Sequence, residues 1–476
     1  MGQLLFQLSG AHAVGNMDVA IARVHSDTRS LRAGDLFVAL KGERFDAHDF
    51  LPQARAAGAV AALAHAGLAN AGLPGVEVPD TRRALGELAR LWRAQFPLPL
   101  IAVTGSNGKT TVTQMIAAIL RAAAGDAAHA TQGNFNNDIG VPLTLLRLNE
   151  HHRLSVVELG MNHPGEIAEL AAITQPTVAL VNNAQREHLE FMSSVEAVAQ
   201  ENGSVLSSLP ADGVAVFPSD DAFTPLWRGL AGARRTVSFS DNDVAADVRS
   251  QSAIWKDGAW QLSIAMGDQS ASCRLHIAGR HNVRNALAAA ACALAAGIDL
   301  PTIARGLSMF EPVGGRSRAL SLQLPTGAVT LIDDTYNANP DSMRAAVDVL
   351  AELPGPRLLV LGDMGEVGDQ GLVFHTEVLR YAASRGVHQV HVAGDWMAQA
   401  AAALKVAGEP APTPWPDVSQ LAVHVVGLMN PGAGAPGLRS VLVKGSRFMG
   451  MERVVHALTA MDEKAPHNNK DNLHAA

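Results

Sequence analysis

The most informative segment of the chain reads Ile101-Ala-Val-Thr-Gly-Ser-Asn-Gly-Lys-Thr-Thr111. Its β-branched start predicts a short strand, which leads through a glycine-containing turn into a predicted helix over Thr110–Ala124. The backbone N–H groups of such a turn point inward and bind phosphate oxygens, and the helix N-terminus adds partial positive charge. Lys109 can reach the β- and γ-phosphates, and the Thr110 hydroxyl can bind Mg²⁺. The segment therefore predicts a nucleotide-phosphate site.

This phosphate loop, Thr104–Thr111, is shorter than the common pattern GxxxxGK[ST], because Val103 stands where the first glycine is expected. The alternative is a plain strand–turn–helix with a solvated lysine. The strand, the glycines, the lysine and the hydroxyl nevertheless all fall in the required context. We expect the nucleotide to contact Thr104, Gly105, Ser106, Asn107, Gly108, Lys109, Thr110 and Thr111.

Strand and helix patterns alternate on either side of this loop. Leu100–Val103, Ser155–Leu159 and Thr177–Asn182 read as strands, and helical stretches separate them. This alternation favours a mostly parallel sheet with helices on its faces. The region Arg235–Ile277 is richer in strand patterns, which predicts an antiparallel edge or an insertion.

The length of 476 residues suggests three domains at about 150 residues each. Prolines 97 and 99 end a predicted helix, and the stretch Phe310–Gly315 reads as a second linker. The predicted fold class is α/β with three domains. A small N-terminal α/β domain (1–97) precedes a central P-loop domain (98–311). A C-terminal Rossmann-like domain (312–462) and a disordered polar tail (463–476) follow.

The composition excludes several classes of partner. Lys and Arg total 37 against 45 Asp and Glu, a formal net charge of −8, which argues against binding nucleic acid or an anionic membrane. No apolar run is long enough to span a membrane, and no basic residue precedes Arg23 as a signal peptide requires. The two cysteines, Cys273 and Cys292, fit a reducing compartment. We expect a cytoplasmic monomer.

Two further residues follow predicted strands and are candidates for holding a metal. Glu158 ends one strand, and His188 lies just past the next. The carboxyl ends of parallel strands form the edge where α/β proteins bind ligands, so either side chain can contribute to a Mg²⁺ site there. The alternatives are a strand-end acid that faces water and an ordinary surface or core histidine.

Several motifs in order along the chain resemble the Mur ligases, the ATP-dependent amide-forming enzymes of peptidoglycan precursor synthesis. The phosphate loop is the first of them. The others are Gly133-Asn-Phe-Asn-Asn-Asp-Ile-Gly-Val-Pro-Leu-Thr144, Glu158-Leu-Gly-Met-Asn-His-Pro-Gly-Glu-Ile167, Gly279-Arg-His-Asn-Val-Arg-Asn285, Asp333-Asp-Thr-Tyr-Asn-Ala-Asn-Pro-Asp-Ser-Met343, Leu361-Gly-Asp-Met-Gly-Glu366 and Val441-Leu-Val-Lys-Gly-Ser-Arg447. The resemblance covers nearly the whole chain.

The resemblance implies an activity. ATP would phosphorylate the terminal carboxylate of a UDP-N-acetylmuramoyl-tripeptide, and the amine of D-alanyl-D-alanine would attack the acyl phosphate. It also implies residue roles. Lys109, Glu158, His188, Arg316 and Asp334 would be catalytic, with Mg²⁺ held by Thr110, Glu158 and His188. Asn282 and Asn285 would contact adenine, and the substrate-binding residues would be Ser26, Asp27, Thr28, Asn134, Asn136, Asn137, Tyr336, Asn337 and Asn339.

The chain departs from the family pattern at one position. Many relatives carry a carbamylated lysine shortly after the metal-binding histidine, and Asn202 stands there in this chain. Our hypothesis is that Glu201 or Asn202 supplies a substitute oxygen for the metal. Three alternatives to the expected reaction stay open: a Mur ligase that adds a single amino acid, a folylpolyglutamate synthase, and a nucleotide-binding protein without ligase activity.

Overall fold

A computed structural model of the chain describes residues 1–42, 45–324, 327–429 and 437–462. It contains three β-sheets, one after the other along the chain, each accompanied by helices. The predicted α/β class is therefore confirmed. The predicted disordered tail, 463–476, lies outside the described residues.

The first sheet has five strands in the order β1-β5-β4-β3-β2. Its strands are parallel except for β1, which runs antiparallel to β5. The strands are β1 (His12–Val14), β2 (Arg23–His25), β3 (Asp35–Val38), β4 (Ala61–Ala64) and β5 (Gly75–Glu77). The helices are α1 (Gly2–Leu5), α2 (Leu51–Ala56), α3 (Leu68–Ala71) and α4 (Thr81–Arg93).

The central sheet has nine strands in the order β14-β13-β12-β11-β10-β9-β6-β8-β7. Strands β6 to β12 pair in parallel, and β12, β13 and β14 form the antiparallel edge that the sequence predicts. The strands are β6 (Leu100–Thr104), β7 (Ala128–Ala130), β8 (Leu154–Glu158), β9 (Val178–Val181), β10 (Val214–Pro218), β11 (Arg235–Ser240), β12 (Val248–Lys256), β13 (Ala259–Met266) and β14 (Gln269–Leu275). The helices are α5 (Lys109–Ala124), α6 (Gly140–Leu145), α7 (Glu166–Thr174), α8 (Val195–Ser207), α9 (Thr224–Ala231), α10 (His281–Ala295) and α11 (Leu300–Ser308).

The third sheet has six strands in the order β15-β16-β20-β17-β18-β19, parallel except for the β15–β16 hairpin. The strands are β15 (Arg318–Leu324), β16 (Gly327–Asp334), β17 (Arg357–Gly362), β18 (Val390–Ala393), β19 (Thr413–Trp415) and β20 (Ser440–Lys444). The helices are α12 (Pro340–Glu352), α13 (Gly371–Ser384), α14 (Asp395–Val406), α15 (Val418–Leu428) and α16 (Glu452–Thr459).

The central sheet is buried on both faces, as a parallel sheet requires. Ile101 and Val103 of β6 belong to one hydrophobic cluster, whereas Leu100 and Ala102 belong to another on the opposite face. The alternation of side chains along the strand produces this division. No helix in the described ranges is long and apolar enough to cross a membrane.

The strand order places the predicted residues at one edge. Strand β6 lies between β9 and β8, so the phosphate loop after β6 is flanked by Glu158 at the end of β8 and by the segment that follows β9. In the third sheet β16 and β20 are parallel neighbours, and their last residues, Asp334 and Lys444, are register partners.

Candidate active site

The phosphate loop adopts a backbone that requires its glycines. Gly105 has a φ of 131° and Gly108 a φ of 82°, both in the left-handed region that glycine favours. A Cβ on Gly108 would also lie 2.6 Å from Asn285 Oδ1. Lys109 is the first residue of α5, so the turn opens directly onto a helix N-terminus, as the sequence predicts.

Lys109 is held inside the loop by three acceptors. Its ammonium group donates to the carbonyl oxygens of Gly105 at 2.6 Å and Ser106 at 3.1 Å. It also donates to Glu187 Oε1 at 2.6 Å. These acceptors use the full donor capacity of a lysine, so a bound phosphate must displace at least one of them.

Glu158 is the residue whose environment best fits a divalent cation. Its side chain is buried, and its Oε1 accepts from the Thr110 hydroxyl at 3.0 Å and from Asn136 Nδ2 at 2.8 Å. Its Oε2 is buried without a hydrogen-bond partner among the described residues. A buried, unpartnered carboxylate oxygen is costly, and a hard cation such as Mg²⁺ is the ligand that it prefers.

His188 has a strained backbone and an electrostatically unusual side chain. Its φ of 51° lies in the left-handed region, which is rare for a residue with a Cβ. Its Nε2 lies 3.5 Å from Glu187 Oε1, and its Nδ1 lies 2.6 Å from Glu366 Oε2. Burial lowers the pKa of His188, but the two carboxylates outweigh it and raise the pKa to about 9.

Three asparagines that are hydrogen-bonded to one another support the phosphate loop. Asn182 Nδ2 donates to the Asn107 carbonyl at 2.8 Å and to Asn285 Oδ1 at 3.0 Å. Asn285 in turn donates to Asn282 Oδ1 at 2.9 Å. Asn282 and Asn285, which the resemblance assigns to adenine, are thus buried next to the loop and help to fix its shape.

The third sheet contributes an edge that faces the phosphate loop. Asp334 Oδ1 accepts from the Ser317 N–H at 2.9 Å, and its Oδ2 accepts from Lys444 Nζ at 2.6 Å. Asn339 Nδ2 donates to Asn107 Oδ1 at 2.9 Å, so the two sheet edges are in direct contact.

Two more residues on this side of the cleft form a cation–π pair. The Arg316 guanidinium carbon lies 4.0 Å from the centre of the Tyr336 ring. Arg316 has no carboxylate partner within the described ranges, so its charge is available to an anionic ligand.

Most of the predicted site residues line a single cleft of about 890 Å³ between these edges. They are Ser106, Asn107, Gly108, Lys109, Thr110, Thr111, Asn134, Asn136, Asn137, Glu158, His188, Asn282, Asn285, Arg316, Asp334, Tyr336, Asn337 and Asn339. The buried residues Thr104 and Gly105 lie at the base of the phosphate loop and do not line the cleft.

Ser26, Asp27 and Thr28 lie elsewhere, in the turn after β2 of the first sheet, and do not line this cleft. Asp27 accepts hydrogen bonds from both the backbone N–H and the guanidinium group of Arg29. The structure therefore places these three residues in a local turn, apart from the phosphate loop.

The hypothesis of a replacement metal ligand at Glu201 or Asn202 is not supported by their contacts. Both oxygens of Glu201 accept backbone N–H groups at the start of α7, from Gly165 at 2.9 Å and Ile167 at 2.8 Å. Asn202 Oδ1 accepts from the Thr104 hydroxyl at 2.6 Å and the Gly105 N–H at 3.0 Å. These oxygens stabilise a helix N-terminus and the phosphate loop instead.

The charged residues that line the cleft and that sequence reasoning did not assign to the site include Arg82, Glu187 and Lys444. Lys444 carried a usable signal, because it directly follows the strand pattern Ser440–Val443, as Asp334 directly follows the strand pattern Val329–Asp333. Arg82 and Glu187 carried no such signal, since each is a single charge whose neighbours come from distant parts of the chain. Arg82 pairs with Asp138 at 2.6 Å, and Glu187 pairs with Lys109.

The fold and the cleft together define an α/β protein in which a phosphate loop faces the edge of a second sheet. Models of three Mur ligase domains match the chain: the Mur ligase family catalytic domain at residues 20–93, the Mur ligase middle domain at 103–293 and the glutamate ligase domain at 317–447. The UDP-N-acetylmuramoyl-tripeptide–D-alanyl-D-alanine ligase of Escherichia coli is 41% identical over 441 residues, which cover 93% of this chain and 94% of that protein.

Solved structures agree with this result. A crystal structure of MurF from Acinetobacter baumannii superposes with a TM-score of 0.87 at 34% identity, over 97% of this chain and 98% of that one. MurF from Thermotoga maritima in complex with ADP gives a TM-score of 0.80 at 25% identity, over 94% and 99% of the two chains. The chain belongs to the Mur ligase family, and the expectations of that family and of a ligase are confirmed.

Proposed function

We propose that this ligase joins D-alanyl-D-alanine to UDP-N-acetylmuramoyl-tripeptide in an ATP-dependent reaction. The single observation that carries the proposal is the cleft in which the phosphate loop faces the Asp334 edge of the third sheet. The D-alanyl-D-alanine-adding relative of 41% identity over 93% of the chain supports this amine substrate. The ADP complex of a related structure supports the nucleotide.

The first step is attack of the tripeptide carboxylate on the γ-phosphorus, which forms an acyl phosphate and releases ADP. Both reactants are anions, so cations and fixed dipoles must offset the charge that develops. Lys109 and the loop N–H groups would contact the phosphates, and Arg316 would supply a further positive charge from the third sheet. Mg²⁺, when bound by Glu158, Thr110 and a His188 that has lost its proton, would neutralise phosphate charge.

In the second step the free amine of the dipeptide attacks the acyl carbon. A C–N bond forms, the bond to the phosphate oxygen breaks, and inorganic phosphate and a proton leave. Tyr336, Asn337 and Asn339 lie on the side of the cleft from which the dipeptide would approach. Because acyl phosphates hydrolyse, closure of the third sheet over the cleft would exclude water.

The three sheets divide the remaining tasks in this proposal. Residues 1–97 bind the UDP part through Ser26, Asp27 and Thr28, residues 98–311 bind ATP, and residues 312–462 bring the dipeptide. Asn282 and Asn285 would contact adenine, while Asn134, Asn136 and Asn137, which line the cleft, would contact the tripeptide. The ligase would act in the cytoplasm as a monomer, and the free, buried thiols of Cys273 and Cys292 fit such a reducing compartment.

A coupled assay tests the function. Phosphate release should require ATP, Mg²⁺, UDP-N-acetylmuramoyl-tripeptide and D-alanyl-D-alanine together, and mass spectrometry should show the pentapeptide product. Single amino acids in place of the dipeptide should give no product. Phosphate release from ATP alone would contradict the proposal and indicate a plain ATPase, and product from a single amino acid would indicate another Mur ligase.

A further inference from the structure

Glu187 is a buried carboxylate at the phosphate end of the cleft that the proposed mechanism does not use. It lies between β9 and His188 and is 8% exposed. Its Oε1 accepts from Lys109 at 2.6 Å. Its Oε2 is buried and has no hydrogen-bond partner within the described ranges.

Holding Lys109 does not by itself explain this carboxylate. Lys109 is already fixed by two backbone carbonyl oxygens of its own loop, those of Gly105 and Ser106. Such a role would also leave Glu187 Oε2 without a partner, and buried polar atoms in native structures normally have one. The unpartnered oxygen is therefore free to accept a ligand that binds during catalysis.

The charge balance of the phosphate end identifies that ligand as a cation. Glu158 and Glu187 both line the cleft there, and each carries one buried oxygen without a partner. A nucleotide brings several more negative charges to the same place. Lys109, once it turns towards the phosphates, leaves Glu187 with only His188 Nε2, 3.5 Å from its Oε1, as a cationic neighbour, and Oε2 still has none. Two carboxylates beside a polyphosphate are costly unless cations offset their charge.

We propose that Glu187, through Oε2, binds the divalent cation that accompanies the nucleotide, directly or through a water that the cation retains. The inference rests on the proposed ATP-dependent function. Carboxylate oxygens are preferred ligands of Mg²⁺, which usually keeps several waters and takes its other ligands from substrate phosphates. When the cation binds Glu187, the Lys109 ammonium group loses this partner and becomes free to bind phosphate.

The geometry also predicts that cation and nucleotide bind together. Glu158, Glu187 and His188 do not form a group whose ligand atoms all lie within 4.8 Å of one another in the described part of the chain. The side chains alone therefore do not enclose an ion, and we expect phosphate oxygens and water to complete its coordination. Glu187 would make cation binding and nucleotide binding more dependent on each other, and this coupling is reciprocal.

Isothermal titration calorimetry measures this coupling without turnover. ADP is titrated into the full-length protein with Mg²⁺ and, separately, with EDTA, and the ratio of the two dissociation constants is the coupling. The test variant is Glu187→Gln, which keeps the shape but removes the charge. The matched control is Glu190→Gln, three residues further on, since Glu190 is exposed and does not line the cleft.

We expect Glu187→Gln to lower the coupling about 10-fold or more, within the range of typical coupling energies. Binding in EDTA should tighten, because a repulsive charge is gone, while the gain from Mg²⁺ shrinks. Glu190→Gln should match the wild type. An equal shift of both dissociation constants in Glu187→Gln would overturn the proposal, because it would show that Glu187 acts only on the loop.

Glu187→Asp is a second test variant, used in case Glu187→Gln does not fold. It keeps the charge but withdraws it by one methylene, so we expect a smaller decrease of the same ratio. Circular dichroism establishes whether each Glu187 variant folds. An unchanged ratio of dissociation constants in a Glu187 variant that folds contradicts the inference. A wild-type protein that binds no nucleotide under either condition would instead contradict the proposed function itself.

Discussion

Two carboxylates at opposite sides of the cleft have very different surroundings. Asp334, on the third sheet, has both oxygens engaged, one by the Ser317 N–H and the other by Lys444. Glu158, on the central sheet, is more deeply buried, yet one of its oxygens has no hydrogen-bond partner among the described residues. Both residues end parallel strands at ligand-binding edges.

The difference separates a carboxylate that holds the fold from one that is prepared for a ligand. A buried acid with a matched cation is compensated even in the empty protein, and removal of one partner is costly because it leaves the other charge unpaired. A buried acid with a bare oxygen lowers the stability of the empty protein and is retained for function. Variants on the two sides should therefore separate effects on activity from effects on stability.

Lys109→Ala should have the largest effect on activity. The lysine lies at the start of α5 inside the phosphate loop, where a cation stabilises the charge transferred in the reaction. We expect the rate of pentapeptide formation to fall by roughly 10²- to 10³-fold or more. The coupled phosphate assay measures it. Lys405→Ala, at an exposed position of α14, is the control and should keep the full rate. An unchanged rate for Lys109→Ala would place the nucleotide elsewhere.

Lys444→Met should have the largest effect on stability. Lys444 is 3% exposed, and its loss leaves Asp334 partly buried without its counter-charge. We expect the free energy of unfolding to fall by about 3 to 5 kcal/mol. Urea denaturation measures this change. The double variant Lys444→Met with Asp334→Asn should recover much of the loss, and no recovery would show that the effect does not come from the ion pair.

Glu158→Gln should lower the activity without lowering the stability, which is the opposite of the effect expected for Lys444→Met. The amide retains an oxygen that can accept from Thr110, but it cannot supply a charged ligand to a cation. We expect the reaction rate to fall by about 100-fold, while the melting temperature of the ligand-free protein stays equal or rises. Differential scanning calorimetry and the coupled assay measure the two quantities. Glu352→Gln, at an exposed position, is the control. A lower melting temperature for Glu158→Gln would show that this carboxylate stabilises the empty protein.

The same comparison shows what the sequence could predict. The phosphate loop and its flanking strands were predictable, because the strand, the glycines and Lys109 follow one another within a few residues. The edge position of Glu158 also followed from a local strand pattern. The observed strand β8, Leu154–Glu158, ends at that residue, close to the predicted Ser155–Leu159.

Pairings across the fold could not be predicted in this way. Lys444 meets Asp334 only because β20 inserts beside β16, 110 residues earlier in the chain. Glu201 reads as a possible metal ligand in sequence, but the packing of α8 against α7 turns it into a helix cap. A single charged residue gives no local signal for such a contact, so its partner becomes known only from the tertiary structure.

The smallest of the predicted effects concerns the contact between the central and third sheets. Arg186, in the segment after β9, forms a bidentate pair with Asp341 of α12 at 2.6 Å and a second pair with Glu377 of α13 at 2.8 Å. Bidentate arginine–carboxylate pairs are stronger than ordinary surface pairs. A double-mutant cycle of Arg186→Ala with Asp341→Ala should therefore give a coupling energy of about 1 to 2 kcal/mol in urea denaturation.

The Arg385–Asp348 pair is the matched control for this cycle. It joins two helices of the third sheet at 2.7 Å, but its side chains are 42% and 40% exposed, against 21% and 25% for Arg186 and Asp341. Solvent screens an exposed pair, so its coupling should be about 0.5 kcal/mol or less. Equal couplings in both cycles would mean that Arg186 contributes no more than a surface charge and does not hold the two sheet edges together.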